Sequence, residues 1–475
     1  MQKFIGREQE LKKLKKIGQS GRSEFVAVYG RRRVGKTFLI RTAFENTFTF
    51  QLTAIANVSR SQQLLNFFTN LQKHEKDNPP RTVPQNWFEA FQQLIDFLEK
   101  SKGGQKVIFL DELPWFDNPK SDFLPSLEHF WNSWAALRDD VILLTCGSAA
   151  SWILNKLINH KGGLHNRVTE RIKLDPFTLH ETEELLQVQN PAITRYQILQ
   201  LYMVMGGVPF YLDRISPELS AMQNIEQICF AADGLLRLEF GNLFKALFSK
   251  AERHIEVVRA IAQKSKGMTR VEIIQHTKLG NSGTLTNILD ELEKSGFIRR
   301  YNPFGKKKQN SVFQLADFYT NFYLRFIENS DPADLNNWSH ATDSPSHRAW
   351  SGYAFEQVCL CHIQQIKVAL GISGMISYSQ SWRSNQSGQG AEIDLLIDRR
   401  DQVINICEMK FSTETYTISK TVAEQLRQKI GVFRAETGTK KAIFLTMLTT
   451  YGLNPNAHSV GLVQNDLTMD VLFKD

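Results

Sequence analysis

The sequence predicts an α/β multidomain chain, with a parallel sheet at the front, helix-rich modules in the middle and a second α/β domain at the end. Three observations predict it. The segments EFVAVYG, KVIFLDE and VILLTCGS are nearly all apolar and alternate with helix-like segments up to about residue 180. A strand wetted on one face alternates polar and apolar residues, whereas an unbroken apolar run suits a parallel sheet covered on both faces. Residues 250–315 read as helix, short helix, turn, helix and hairpin, and AEIDLLIDRRDQVINICEMKFS near the end reads as two strands around a charged turn. The expected division is a core over 1–180, a helical lid over 181–249, a helix–turn–helix unit over 250–330, a polar linker over 331–349 and a final domain over 350–475.

Composition narrows the function classes. Apolar residues make up 42% of the 475, enough for ordinary packed cores. No run of about 18 uncharged apolar residues exists, so no membrane partner is expected. The start, MQKFIGREQELKKLKK, reads as a charged amphipathic helix rather than a secretory signal. Five scattered cysteines form neither a zinc set nor a disulfide framework, which suits a reducing cytoplasm. The net charge is +8, and residues 250–330 hold 14 Lys and Arg against 8 Asp and Glu. That bias marks either an anionic partner or a solvated basic face.

VYGRRRVGKTFLI fits G-x-x-x-x-G-K-[ST], between an apolar strand and a helical pattern. The cradle runs through Gly30, Arg31, Arg32, Arg33, Val34, Gly35, Lys36, Thr37 and Phe38. Its glycines let backbone N–H groups turn toward phosphate oxygens, and the helix N-terminus adds positive potential. Lys36 reaches the β- and γ-phosphates of ATP, and Thr37 holds Mg²⁺. KVIFLDELPWF then supplies Asp111 as the second Mg²⁺ residue and Glu112 as the group that polarises the attacking water. Ser148, after the third strand, either senses the γ-phosphate or caps a helix. Arg167 and Arg171 are either stabilisers of transferred phosphate or surface residues.

The order FIGREQEL, P-loop, VIFLDELPW, LLTCGSAAS and GGVPFYL resembles the archaeal-type ATPases, P-loop proteins similar to the AAA+ and STAND groups. The resemblance covers roughly residues 1–330. It implies that Phe4, Gly6, Arg7 and Pro209 lie near the adenine end of the nucleotide, although Pro209 read alone simply ends a helix. It also implies that rings are open to the chain, with an arginine such as Arg167 or Arg171 completing a neighbour's site.

The 251–315 segment looks like a winged helix-turn-helix. Leu285, Ile288, Leu289 and Leu292 repeat at helical spacing and face inward, leaving Ser282, Thr286 and Asn287 outside. The hairpin tip RRYNPFGKKK carries five basic residues. Arg299, Arg300 and Lys306–Lys308 would neutralise DNA phosphates without reading bases. Asp290, Glu291 and Glu293 on the third helix would repel DNA, so a protein-docking role stays open.

In the last domain, alternation puts Ile393, Leu395 and Ile397 on one strand face and Asp394 on the other, with Glu408 and Lys410 together on the next strand. Asp394 and Glu408 are expected to converge on one hard cation beside Lys410, an arrangement suited to phosphodiester hydrolysis. The D-x(13)-E-x-K spacing resembles the PD-(D/E)xK, or restriction-endonuclease-like, superfamily, with Ile393 where many members have proline. The resemblance implies a further acid on a preceding helix, here Glu356, and a following-helix residue, here Gln425. It also implies Mg²⁺ or Mn²⁺ as cofactor and DNA as substrate. The complete expectation is a P-loop NTPase parallel sheet with helical lid, a winged helix and a C-terminal α/β restriction-endonuclease-like domain. In it, ATP state governs metal-dependent DNA cleavage; otherwise a regulatory ATPase uses a silent C-terminal domain for docking.

Overall fold

The first five strands are β1 (Glu24–Gly30), β2 (Phe50–Thr53), β3 (Lys106–Asp111), β4 (Val141–Gly147) and β5 (Glu170–Leu174). In β1, Phe25 and Ala27 pack into one apolar cluster and Val26 and Val28 into another. β3 divides Ile108 and Leu110 from Val107 and Phe109 in the same way. Both faces of the sheet are therefore covered, the physical reason for the apolar runs. The computed structural model describes residues 4–475 except 76–80, 102, 119–120, 159–165, 302–303, 306–310, 332–333, 335, 343 and 385–389. The chain divides into two units, Met1–Pro176 and Phe177–Asp475.

In the first unit all neighbouring strands run parallel, in the order β2-β3-β4-β1-β5. β4 is thus inserted between β1 and β3, and its C-terminal end lies beside both the loop after β1 and the acids after β3. Gly30 closes β1 at φ 149°, and a Cβ there would sit 2.1 Å from the Leu174 carbonyl oxygen of β5. The opening amphipathic helix spans Glu8–Ile17 and buries Leu14 and Ile17, as its pattern requires.

The second unit begins with helices Leu179–Gln189, Arg195–Met205 and Glu239–Leu247. Pro209 starts the short helix Pro209–Leu212 rather than ending one, its fixed φ suiting a first helical position. There follow helix Ala251–Ala262, β6 (Met268–Thr269), helices Arg270–His276 and Gly283–Lys294, then β7 (Ile298–Tyr301) and β8 (Val312–Leu315). The three strands form an antiparallel sheet in the order β6-β8-β7. Leu285, Ile288, Leu289 and Leu292 are buried, and Ser282, Thr286 and Asn287 are exposed, as the helical spacing predicts.

The expected linker over 331–349 is more ordered than its polarity suggests. Asn337–Ala341 is helical, and Trp338 is buried, with ring centroids 5.0 Å from Phe322 and 5.7 Å from Trp350. One tryptophan supplies the apolar area that holds an otherwise hydrophilic segment. The next helix starts at Pro345 and runs to Cys361.

The last sheet contains β9 (Ser377–Arg383), β10 (Glu392–Arg399), β11 (Val403–Lys410), β13 (Ala442–Thr449) and β15 (Asn465–Thr468), ordered β15-β13-β11-β10-β9; β12 (Tyr416–Thr417) and β14 (Leu453–Asn454) pair separately. β9, β10 and β11 are antiparallel neighbours, and β11, β13 and β15 are parallel. Phe355 and Cys359 of the Pro345–Cys361 helix share a cluster with Cys407 and Met409. Phe433 and Leu426 of helix Lys420–Thr437 share the opposite one with Ile404 and Ile406. The simple alternation expected for β10 fails at one point. Ile393 packs with Leu396, while Leu395 and Ile397 pack on the other side. A register irregularity between Ile393 and Leu396 inserts the extra residue that swaps the faces.

His362, just past that helix, accepts a hydrogen bond at Nε2 from the Leu179 N–H (2.9 Å), while Nδ1 donates to the Val358 carbonyl (2.8 Å). Burial pushes its pKa down to about 4. The ring is therefore neutral when folded, and the unfolded chain binds more protons below the usual value near 6.5. The stability it contributes is complete above pH 6.5 and is lost as pH falls toward 4. Urea unfolding should find about 2 kcal/mol less stability at pH 5 than at pH 7 from this group, and a flatter profile in His362→Gln. Among the described residues no disulfide joins the cysteines. Among the described residues no helix is long and apolar enough to cross a membrane.

Candidate nucleotide site and an acid–lysine cluster

The loop after β1 turns at Arg33 (φ 70°) and Gly35 (φ 87°) and delivers the start of helix Lys36–Ala43. Lys36 is buried, at 5% exposure, and its Nζ donates to the carbonyls of Gly30 (3.2 Å) and Arg31 (2.8 Å) and to Ser148 Oγ (3.1 Å). Burial lowers its pKa, against the pull of nearby acidic groups including Glu112 and Asp111. Thr37 Oγ1 lies 3.1 Å from Asp111 Oδ2. A hydroxyl and a carboxylate at this spacing form the oxygen donor pair that Mg²⁺ takes. Arg31 and Val34 are buried, Arg32 and Arg33 half-buried, and Phe38 is exposed and stacked on Phe4 with centroids 5.8 Å apart.

Glu112 adopts a left-handed conformation (φ 52°, ψ 48°) where β3 breaks into the turn Leu113–Phe116. Few non-glycine residues do so, and such geometry clusters at functional sites. Its carboxylate accepts from Ser148 Oγ (2.8 Å) and the Ser148 N–H (3.2 Å). Gly147 permits this approach, because a Cβ there would stand 2.6 Å from Pro114 Cδ. Ser148 thus links Lys36 to Glu112, and the helix-cap reading gives way; the next helix is capped by Ala149 without a side-chain bond. Sequence reasoning missed Cys146, whose buried Sγ lies 2.6 Å from Asp111 Oδ1. Burial pushes that thiol well up, with Asp111 adding to the effect, so it stays a neutral donor. Nothing but its place two residues before Ser148 marked it.

Arg7 is buried and donates to the Asp175 carbonyl, just past β5, which anchors the GRE segment to the sheet edge. Arg167 and Arg171 are exposed. Pro209 lies in the second unit.

The acids of the last domain each meet a lysine. Lys266, in the turn before β6, donates from Nζ to both Asp394 Oδ1 and Glu356 Oε2 (3.1 Å). Glu408 pairs with Lys410 (2.8 Å) and with Lys429 (2.6 Å) of helix Lys420–Thr437. Gln425 is exposed, and Lys429, one turn further on, reaches the site in its place. Burial pushes Glu356 up to about 7, with like-charge repulsion from Asp394 adding to it and Lys266 opposing. Burial alone would raise Glu408, but Lys410 and Lys429 together hold it below the usual range. Among the described residues no three Asp, Glu, His or Cys side chains gather closely enough to hold a metal ion. The lysines divide the acids between them. Neither Lys266 nor Lys429 carries a local sequence signal, since each lies in another element.

Other expectations for phosphate contacts also shift. Arg299 donates to Gln314 (2.9 and 2.7 Å) and to Gln357, so it fastens β7 to β8 and to the Pro345–Cys361 helix. Arg300 pairs with Glu293 at 3.2 Å, Lys294 with Asp290 at 2.7 Å and His254 with Glu291 at 2.6 Å. All three acids of the third helix thus have partners. Lys306–Lys308 lie outside the described residues.

A strand–loop–helix cradle with a buried lysine, and an acid pair ending a strand nearby, define a P-loop nucleotide hydrolase site. Residues 4–215 match the family described as an ATPase domain predominantly from Archaea. Across 419 residues the chain is 24% identical to an uncharacterised protein of Methanocaldococcus jannaschii, covering 86% of this chain and 87% of the relative. Among solved structures it is similar to a Walker-type ATPase of Pyrococcus abyssi (18% identity, 68% of this chain and 96% of the other, TM-score 0.48). It is also similar to the ORC2 protein of Aeropyrum pernix (15% identity, 72% and 98%, TM-score 0.40).

Proposed function

We propose that the protein binds and hydrolyses ATP and couples nucleotide state to DNA binding and metal-dependent DNA cleavage by its C-terminal domain. The chain of contacts Lys36–Ser148–Glu112 carries the ATPase part. Backbone N–H groups of 31–36 and the Lys36 ammonium hold the phosphates, with Phe4 and Phe38 nearest the base. Thr37 and Asp111 would hold Mg²⁺, whose charge would offset that of the phosphates. When Lys36 turns to a γ-phosphate it would leave Ser148 Oγ, and Glu112, turned from Ser148 toward the phosphate, would orient the attacking water. Arg7 is proposed at the adenine end, and an arginine such as Arg167 or Arg171 from another subunit would complete an oligomeric site.

The helix–turn–helix segment is proposed as a winged helix. Support comes from the neutral exposed face of Ser282, Thr286 and Asn287 beside acids that already have partners. A nuclease role for the last domain rests on Glu356, Asp394, Glu408 and Lys410 in one neighbourhood. Full-length protein incubated with Mg²⁺ or Mn²⁺ and supercoiled, linear or single-stranded DNA is expected to cut at least one substrate. Asp394→Ala and Lys410→Ala should lower cutting by roughly 10²-fold or more. A second reading, a regulatory ATPase whose last domain only docks DNA or protein, is favoured by the lysine partner on each acid. Undiminished ATP hydrolysis without cutting on any substrate would select it.

A further inference from the structure

Lys266 bridges Glu356 and Asp394, two acids from different elements of the last domain. We propose that the helix–turn–helix unit locks the C-terminal site, the Lys266 ammonium acting as an internal counter-ion that keeps divalent metal from Glu356 and Asp394. This rests on the metal-dependent reading of that site.

The geometry is that of a fixed wedge. Lys266 lies in the turn between Ala262 and Met268, and the turn is tied at two of its carbonyls, one of them through a glutamine that Arg299 holds. The Tyr301 hydroxyl donates to the Lys266 carbonyl (2.7 Å), Gln314 Nε2 donates to the Ser265 carbonyl (2.8 Å), and Arg299 clasps Gln314 and Gln357. Gly267 (φ 82°) is pressed against β8, where a Cβ would meet the Phe313 carbonyl oxygen at 2.5 Å. From this base Nζ bridges two carboxylates on different elements, Glu356 on the Pro345–Cys361 helix and Asp394 on β10. Its side chain is 29% exposed, unlike the mobile surface lysine whose ion pairs contribute little. Mg²⁺ binds carboxylate oxygens at about 2.0–2.1 Å, so ammonium and metal exclude each other between these two acids. With Lys266 withdrawn, Glu356 and Asp394 would face each other uncompensated and attract a divalent ion. Opening the site therefore requires the 263–267 turn to move away from β10.

Isothermal titration of the full-length protein with Mn²⁺, and its thermal unfolding in EDTA against Mn²⁺, test this. The variants are Lys266→Met, Lys266→Arg, Asp394→Asn and the double Lys266→Met/Asp394→Asn. Subtracting Asp394→Asn removes Mn²⁺ held at the P-loop. Wild type and Lys266→Arg are expected to bind weakly. Lys266→Met should bind at least about tenfold more tightly, melt lower than wild type in EDTA and recover in Mn²⁺, and the double variant should lose that gain. Should Lys266→Met fail to fold by circular dichroism, Lys266→Gln replaces it. Equal, Asp394-dependent binding by wild type and Lys266→Met would overturn the lock while leaving the metal site standing. Absence of Asp394-dependent binding in every variant would overturn the metal site and the lock together.

Discussion

Replacing Lys36 with alanine is expected to lower ATP turnover by roughly 10³-fold, the scale of removing a preorganised donor from developing phosphate charge. In the structure this ammonium is buried and satisfies the carbonyls of Gly30 and Arg31 as well as Ser148. Alanine removes the only charged group among those contacts and strips two carbonyls of a donor, at about 1–3 kcal/mol for each left unsatisfied. Phosphate release at saturating ATP measures the first effect, and urea unfolding without nucleotide, expected to show lower stability, measures the second. Turnover within threefold of wild type would remove Lys36 from the chemistry.

Glu112→Gln separates binding from hydrolysis. Glutamine keeps the side-chain volume and one acceptor for Ser148, so the left-handed turn and the Gly147–Pro114 approach have no reason to change. It cannot take a proton from water, and loss of general-base assistance costs about 10²–10⁴-fold. ATP should therefore bind with near wild-type affinity and remain unhydrolysed, visible as ATP rather than ADP recovered from the bound fraction. Equal loss of binding and turnover would mean that Glu112 holds the cradle's shape instead. In either variant, DNA cleavage that no longer responds to ATP would support the proposed coupling.

How much was legible in the sequence follows from the range of the interactions. The P-loop, β1, β3, β4 and the inward stripe of the third helix were readable because one element's own periodicity or spacing encodes them. Ser148 was readable only as two alternatives, because its role depends on β4 lying between β1 and β3, a topological fact. The bulge at Ile393–Leu396 was invisible, since alternating letters do not announce an inserted residue when both neighbours are apolar. Trp338 was misread inside a polar run because composition averages away a single anchoring ring. Lys266 and Lys429 were missed for the same physical reason as Cys146: each acts across space on a residue from another element. The acids of the last domain stand out in the sequence inside an apolar alternation; what balances them lies 128 positions away in one case and 21 in the other.

The hairpin after β7 bears on solubility as well. The Phe304 N–H donates to the Ser381 carbonyl (2.7 Å), and its ring packs 5.7 Å from Phe433, so Phe304 covers part of β9, the outermost strand of its sheet. Bare outer strands recruit other chains into stacked aggregates. Withdrawing Phe304 would uncover this stretch, and a protein held open without something else along β9 would be prone to self-association. Activation of such a chain would then be safest when brief or when the incoming partner itself covers the uncapped margin.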